Sequence, residues 1–485
     1  MRRVWLKYLQ LVAAAAAFVF ALAAVVRITG PDTLSTLSTT LSSAKAAATC
    51  SVPPSSSSSS SDSQSSSASS ASSFYPGSED IHVLVMTGAQ TLYERVPLHI
   101  ASSLSHMPSY AVYSDSPGTI AGTPVYDALA NLTDATAKSA GLKVYRRQKH
   151  LLSENANVDF TDKRAQIENA WDLDKWKPLP MAIDAYGRVP TAKWYVMMDD
   201  DTYIIWPNLI RWLKTIKPTD VLYMGAAAVI NGEPFAHGGS GVVYSHALAE
   251  RAFANNYDLV HKHETFTAEN CCGDHIFAHA LLGLDIKVNY GSDYPFVKSR
   301  LQGEPPAHVR LDRGSWCDEI VSFHRVSPRE IENLAEFEKK YDSANTPILY
   351  RDVYAHFVMP YVVPHRRWNW DNGADDRMFT SHDPDIDEAA FQSYEDCKAR
   401  CEAWDECLQF RYRTERCGLG SRLRLGEMVD GDDDNEENSY SSEWMVDRIR
   451  EMRKTQKCEK VGDWEREEGV FFKGRKSPSI EVSER

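Results

Sequence analysis

The sequence predicts an α/β fold in which helices cover a mixed, largely parallel sheet, followed by a small disulfide-rich module. Apolar runs of strand length alternate with helical patterns, as they do in parallel sheets. The run at residues 194–198 contains no charged residue, which indicates a strand buried on both faces. Four cysteines crowd into residues 397–417, which is typical of a disulfide-stapled module in an oxidising compartment. A chain of 485 residues with 43% hydrophobic content can form both parts.

The N-terminal residues have the pattern of a membrane anchor. Arg2, Arg3 and Lys7 precede an apolar run at residues 9–26, which only Gln10 interrupts. The run is close to the length of about 18 residues that spans a bilayer core, and the preceding basic residues favour a cytosolic N-terminus. We therefore predict a single-pass type II protein of the Golgi or endoplasmic reticulum membrane with a lumenal catalytic domain. A cleaved signal peptide is the alternative.

Composition divides the chain into segments. The part rich in Ser, Thr and Ala buries too little apolar surface to fold, so it is predicted to be a disordered stalk. A net charge of −14 argues against a nucleic-acid partner. Cys50, in the stalk, could link two chains into a homodimer, with a free thiol as the alternative. The predicted segments are a cytosolic tail (1–8), the anchor (9–27), the stalk (28–78), the large domain (79–350), a linker (351–390), the cysteine-rich module (391–447) and a charged tail (448–485).

The predicted strands of the large domain come in order along the chain. Residues 81–88 form a strand that ends in a turn, and residues 110–115 form a second strand with an acidic end. After the run at 194–198 comes a helical pattern at 209–216, with Pro207 near its start, and then a strand at 221–225. Ligands of such sheets lie outside the carboxyl ends of the strands, which directs attention to the residues after position 198.

An acidic triplet follows the buried run. The carboxylates of Asp199, Asp200 and Asp201 repel one another unless a cation or solvent compensates them, and their oxygens suit Mn²⁺ or Mg²⁺. Such a cation can neutralise a departing diphosphate. An acidic turn before the next helix is the alternative. A haloacid-dehalogenase-type phosphatase motif, Asp-x-Asp-x-Thr, does not fit because Thr202 stands one position too early.

Three later segments add candidate site residues. The glycines of the loop at residues 237–241, Gly238 and Gly239 among them, permit close backbone approach to a ligand; a tight loop is the alternative. Asp274 opens a probable helix and can serve as a general base or as its N-cap. His324 ends an apolar run and can complete a metal shell, although a structural role is open.

In this order, the segments resemble the fungal branch of the Fringe-like, family 31 glycosyltransferases, over residues 81–341. The matching segments are residues 194–203, 235–241, 271–274, 303–306, 316–317 and 322–324. The resemblance implies a GT-A fold with a Rossmann-like nucleotide-binding sheet, and transfer with inversion at the anomeric carbon. It also implies a UDP-sugar donor, a cofactor ion such as Mn²⁺, a glycan or glycoprotein acceptor and a β-1,3 linkage.

The resemblance assigns a role to each candidate residue. Asp201 and His324, with Asp199, are expected to hold the metal ion, and Asp274 is expected to be the catalytic base. The residues expected near the donor are Asp200, Arg95 and Asp115, and those expected to bind substrate are Gly238, Gly239 and Trp316. A non-catalytic, membrane-anchored glycan-binding protein is the alternative function.

The cysteine-rich module resembles a PAN/apple domain. That resemblance implies disulfides between Cys397 and Cys417 and between Cys401 and Cys407. Such modules bind protein or carbohydrate, so either substrate capture or a purely structural role is expected. Outside the module, the spacing leaves open a bridge from Cys271 or Cys272 to Cys317.

Overall fold

The structure, a computed structural model, describes residues 74–162, 167–289, 300–381, 388–429 and 439–458. The predicted cytosolic tail and anchor, and nearly all of the predicted stalk, lie outside these ranges, as does most of the predicted charged tail. Within the described ranges, no helix combines the length and apolar character needed to cross a membrane.

A seven-stranded mixed sheet forms the centre of the large domain, with the strand order β3-β4-β2-β1-β5-β10-β7. Strand β1 pairs in parallel with β2 and β5, whereas β10 runs antiparallel to β5. The strands of this domain are β1 (Ile81–Met86), β2 (Tyr110–Ser114), β3 (Gly118–Ile120), β4 (Thr123–Asp127), β5 (Trp194–Asp199), β6 (Tyr203–Ile204), β7 (Tyr223–Met224), β8 (Ala227–Ile230), β9 (Glu233–Ala236), β10 (Val242–Ser245) and β11 (Ser322–Phe323).

Helices pack on both faces of this sheet. Along β5, Tyr195 and Met197 join a core with the helices α4 (Pro178–Arg188), α6 (His246–Phe253) and α8 (Gly273–Leu282). Val196 and Met198 point to the other face and pack on α1 (Leu92–Ala101) and α5 (Trp206–Leu213). Alternate side chains of a strand point to opposite faces, so a run without charged residues is buried on both sides. The helices are α1 (Leu92–Ala101), α2 (Asp134–Ala137), α3 (Lys143–Glu154), α4 (Pro178–Arg188), α5 (Trp206–Leu213), α6 (His246–Phe253), α7 (Leu259–Glu269), α8 (Gly273–Leu282), α9 (Pro328–Tyr341), α10 (Tyr350–Val353), α11 (Tyr394–Glu402) and α12 (Val446–Thr455).

The predicted α/β class is therefore confirmed, with small shifts in the element bounds. The helix expected at 209–216 begins earlier, at Trp206, because Pro207 occupies its first turn, where a missing N–H costs nothing. The strand expected at 221–225 is reduced to Tyr223–Met224, since only these residues pair with β10.

A second sheet forms the C-terminal module, with the strand order β12-β18-β15-β16-β14. Its strands and those of a neighbouring two-stranded pair are β12 (Arg367–Trp368), β13 (Trp370–Asp371), β14 (Arg377–Thr380), β15 (Gln409–Arg413), β16 (Arg416–Gly420), β17 (Glu427–Met428) and β18 (Ser441–Trp444). Three of them, β12 to β14, lie in the segment predicted to be a linker, and α12 extends into the predicted tail. Composition did not predict these elements because the backbone partners of the strands are distant in the sequence. Phe379 of β14, for example, pairs with Cys417 of β16.

Disulfides and a shared core hold the module. Cys397 pairs with Cys417 and Cys401 with Cys407, as the apple-like resemblance implied. Side chains of the large domain, including Tyr203 and Phe323, form one core with module residues such as Leu408 and Trp444.

The remaining described cysteines decide pairings that the sequence left open. Cys317 bonds to Cys458, and Cys271 bonds to its neighbour Cys272. No bridge joins Cys271 or Cys272 to Cys317, because the C-terminal end of the module brings Cys458 next to Cys317.

Candidate active site

The acidic triplet lies where β5 ends and the chain turns. The N–H of Thr202 donates to the carbonyl of Asp199 (3.0 Å), and β6 then pairs antiparallel with β11. In that register Phe323 lies opposite Tyr203, and the N–H of Val326 donates to the carbonyl of Asp201 (3.0 Å). This short two-stranded pairing brings His324 to the triplet from far along the chain.

Asp199, Asp201 and His324 offer ligand atoms that all lie within 4.8 Å of one another. His324 Nε2 lies 3.5 Å from Asp201 Oδ1, while His324 Nδ1 is buried without a hydrogen-bond partner among the described residues. Two carboxylates and an imidazole suit Mn²⁺ or a similar divalent cation. The donor set and the unpartnered ring nitrogen therefore fit a metal ion.

The electrostatics of these carboxylates also favour a cation. Burial raises the pKa of Asp199 well above its ordinary value, and the nearby Asp201 and Asp174 raise it further. Burial also raises the pKa of Asp201, but His324 and Arg95 outweigh burial and lower it overall. A divalent cation would offset the mutual repulsion and the loss of solvation at Asp199.

Gly239 supports the ring of His324. A Cβ on Gly239 would lie 2.1 Å from the ring, and the hydroxyl of Thr202 donates to the Gly239 carbonyl (2.9 Å). The glycine is therefore required because the imidazole lies directly against its backbone. The backbone of Gly239 thus places His324, and the expected contact of this glycine with substrate stays a prediction.

Asp274 lies in the first turn of α8, beside the same glycine loop. Its Oδ2 accepts the N–H of Gly238 (2.9 Å), and its Oδ1 accepts the N–H of His275 (2.8 Å). A Cβ on Gly238 would lie 3.7 Å from Asp274 Oδ2 and 3.8 Å from Asp199 Oδ2. The candidate base and a candidate metal ligand thus border one small space. The N–H of Gly238 thus orients Asp274, and the expected contact of Gly238 with substrate stays a prediction.

The comparisons with known proteins bear on this arrangement. Residues 79–289 match the Fringe-like family model. None of the curated proteins compared with the chain matches it. One similar solved structure is the crystal structure of a glycosyltransferase involved in the glycosylation of the major capsid of PBCV-1. It is 12% identical, the alignment covers 53% of this chain and 98% of that chain, and the TM-score is 0.24.

The Fringe-like region contains the acidic triplet and Asp274, whereas His324 lies beyond it. The Fringe-like part of the predicted resemblance is therefore supported over residues 79–289. The fungal branch, family 31 and the apple-like module remain predictions.

Asp200, within the Fringe-like region, faces the protein. Its carboxylate is buried and accepts the hydroxyls of Thr87 (2.6 Å) and Thr91 (2.5 Å). Arg95 Nη1 lies 2.8 Å from Asp200 Oδ1 and 3.5 Å from Asp201 Oδ2. Asp200 thus anchors the triplet to the turn after β1 and to α1, and its expected contact with the donor stays a prediction. Arg95 remains partly exposed beside the cluster, where a phosphate would meet its charge.

Asp115 is also buried and already paired. Its Oδ1 accepts the N–H of Ala89 (3.2 Å) and the ammonium of Lys177 (2.7 Å), and its expected position near the donor stays a prediction. Lys177 is fully buried and donates to Asp174 (2.6 Å) and to the carbonyl of Thr87 (2.8 Å). Burial lowers the pKa of Lys177, but Asp115 and Asp174 outweigh burial and raise it overall.

Lys177 and Asp174 are site residues that the sequence analysis missed. Nothing in the local pattern separates this lysine from exposed ones, because its burial results from packing between the ends of β1 and β2.

Trp316 is a predicted site residue whose side chain the structure buries. Its side chain is 4% exposed and packs on Tyr354 in the core shared with the module, and its predicted contact with substrate stays a prediction.

Proposed function

We propose that this chain is a divalent-metal-dependent, inverting glycosyltransferase that moves a sugar from a UDP-sugar to a glycan or glycoprotein acceptor, forming a β-1,3 linkage. The observation that supports the proposal best is the pair of groups on either side of Gly238. One is the candidate metal cluster of Asp199, Asp201 and His324, and the other is the candidate base, Asp274. The Fringe-like match over residues 79–289 supports the same class of reaction.

The chemistry needs two functions at adjacent positions. The acceptor hydroxyl transfers its proton to the carboxylate of Asp274 while its oxygen forms a bond to the anomeric carbon of the donor sugar. The bond from that carbon to the diphosphate oxygen breaks, and a single displacement of this kind inverts the configuration. A bound cation supplies charge neutralisation for the diphosphate. Arg95, beside Asp201, adds a positive charge on the same side.

We further propose that the enzyme acts in the lumen of the Golgi or endoplasmic reticulum, held by the predicted anchor at residues 9–27. The four disulfides among the described residues support an oxidising compartment, because such bonds are rare in the cytosol. Expression of a tagged chain, with protease protection of sealed microsomes, tests the topology. Digestion of the large domain in intact microsomes would contradict it.

Release of UDP from a panel of UDP-sugars by the full chain tests the reaction. We expect turnover with Mn²⁺, loss of turnover in excess chelator and recovery when Mn²⁺ is restored. Asp201→Asn and His324→Ala should each lower turnover by a factor of about 10² or more, because each substitution removes a candidate ligand of the metal ion. Asp258→Asn, in an exposed carboxylate before α7, is the control.

Two results would count against the proposal. Full turnover in excess chelator would rule out the metal requirement. Glycan binding that survives Asp201→Asn, without consumption of any donor, would favour the non-catalytic alternative. The anomeric configuration of the product, read by NMR, decides between inversion and retention.

A further inference from the structure

Trp171 is an exposed aromatic residue of the large domain. It belongs to the 3-10 helix Ala170–Trp176, and 70% of its surface is accessible. The other tryptophan of this helix, Trp176, is buried in a small core with Leu173 and Tyr145. An exposed indole forgoes the stabilisation that burial would give and offers a large, flat apolar face to a ligand.

The geometry of the helix sets the direction of Trp171. Side chains three residues apart eclipse in a 3-10 helix, so Trp171, Asp174 and Lys177 share one edge. Lys177 Nζ contacts Asp174 Oδ1 (2.6 Å) and the carbonyl of Thr87 (2.8 Å), and the hydroxyl of Thr87 donates to Asp200 (2.6 Å). The edge that carries Trp171 therefore continues through Asp174 and Lys177 to the acidic triplet, and Trp171 lies one turn, about 6 Å, before Asp174 along the helix.

Hydrogen bonds fix this helix against the segment that leads to the candidate base. Lys175 Nζ donates to the carbonyl of Asn270 (2.9 Å), and the carbonyl of Asp174 lies 2.9 Å from where a Cβ would stand on Gly273. On its other side, Gln90 Nε2 donates to the carbonyl of Ile167 (2.8 Å). The helix that carries Trp171 therefore packs against the segment that leads to Asp274 and against the turn after β1.

We propose that Trp171 is a stacking platform for a neutral hexopyranose ring of the acceptor, an inference that rests on the proposed function. The apolar face of a pyranose matches the flat indole, which offers a large contact area at a low entropic cost. The carboxylate of Asp174, 46% exposed, is placed to accept hydroxyl groups of the same ring. The carboxylates of Asp174, Asp199 and Asp274 repel an anionic sugar, so the ring is neutral rather than a uronic acid.

Steady-state kinetics with the full chain test this platform. We expect Trp171→Ala to raise the KM for the acceptor by about tenfold or more, with a change of less than about twofold in the KM for the UDP-sugar. Trp171→Tyr, which keeps an aromatic face, should restore most of the lost affinity. Tyr257→Ala is the matched control, because Tyr257 is also an exposed aromatic residue, with 79% of its surface accessible. It lies just before α7, whereas Asn270, which contacts the helix of Trp171, follows the opposite end of α7.

A binding measurement makes the test independent of turnover. Saturation-transfer NMR with methyl β-D-galactopyranoside and methyl β-D-glucopyranoside should show transfer to the ring protons in the wild type and in Tyr257→Ala. The signal should be lost in Trp171→Ala and weaker for methyl β-D-glucuronide. Equal acceptor KM and equal transfer in wild type and Trp171→Ala would overturn the platform while leaving the proposed function intact. A rise in the donor KM alone would overturn it too. If the wild type consumes no donor, the proposed function fails, and the NMR result decides on the platform.

Discussion

The ring of His324 lies against the backbone of Gly239, with Nε2 3.5 Å from Asp201 Oδ1. A residue without a side chain therefore determines where the imidazole stands relative to the acidic triplet. The glycine loop and the histidine act as one unit, although the sequence places them far apart. This contact leads directly to a test of the metal site.

Gly239→Ala should weaken metal binding by about 10- to 100-fold, as loss of ligand support does in other metal sites. The new Cβ would lie 2.1 Å from the ring, so the imidazole must move away from Asp201. The measurement is a titration of UDP release with Mn²⁺. Gly187→Ala is the control, since a Cβ there has no neighbour within 4 Å, and it should leave the titration unchanged. An unaltered Mn²⁺ dependence in Gly239→Ala would contradict the proposed contact.

Asp274→Asn should lower kcat by a factor of about 10²–10⁴, because the amide cannot take the acceptor proton. The amide can still accept the N–H of Gly238, so the fold and the Mn²⁺ dependence should persist. Initial rates at saturating donor and acceptor measure the effect. Asp285→Asn, exposed just beyond the other end of α8, is the control; its backbone has φ 56°, which Asn adopts readily. Wild-type kcat in Asp274→Asn would exclude this residue as the base.

Lys177→Met should destabilise the protein by about 3–5 kcal/mol, because it leaves the buried Asp115 without its cation. Chemical denaturation followed by fluorescence measures the loss. The double variant Lys177→Met with Asp115→Asn should recover part of it, since the uncompensated charge is then gone. Lys193→Met breaks the more exposed pair with Asp80 (2.9 Å) and should cost about 1 kcal/mol or less. Equal losses for the two lysines would contradict the buried role of Lys177.

Glu338 should make stability depend on pH. Burial raises its pKa from 4.5 to about 7, and hydrogen bonds from Tyr203 and Ser343 offset this only in part. In the unfolded chain this carboxyl ionises at a lower pH than in the folded protein. The stability that the protonated, buried side chain contributes is therefore complete below about pH 4.5 and is lost as the pH rises to about 7. The full loss is about 3 kcal/mol, from about 1.4 kcal/mol per unit of pKa shift.

Glu338→Gln should remove that dependence, so the variant gains stability relative to the wild type as pH rises from 4.5 to 7. Unfolding free energies at several pH values, taken from urea titrations, measure the difference. Glu332→Gln, exposed on the same helix, should follow the wild type at every pH. A constant difference between wild type and Glu338→Gln across this range would show that Glu338 does not titrate there.

Local patterns predicted the elements that position the site. The run at 194–198 predicted a strand buried on both faces, and β5 occupies it. The triplet follows this strand and lies with His324 beyond its carboxyl end, where sheets of this kind are expected to bind ligands. These inferences succeeded because side-chain periodicity and strand polarity are properties of consecutive residues.

The exposure of single side chains could not be predicted in the same way. The family resemblance placed Asp115 and Asp200 near the donor. In the structure Asp115 accepts a hydrogen bond from Lys177, and Asp200 accepts hydrogen bonds from Thr87 and Arg95. Trp316 lies in a core that exists only because the C-terminal module packs on the large domain. Each of these outcomes depends on residues far away in the chain.

The sequence by itself determined the α/β class, the order of the strands along the chain and the chemical groups available for a metal ion and a base. Only the tertiary structure decided which carboxylates are buried in ion pairs, that Gly239 supports His324 and that Trp171 is exposed on a helix that packs against the segment leading to Asp274. The physical reason is that hydrophobic periodicity is encoded locally. Burial, ion pairing and backbone approach arise when distant segments pack together.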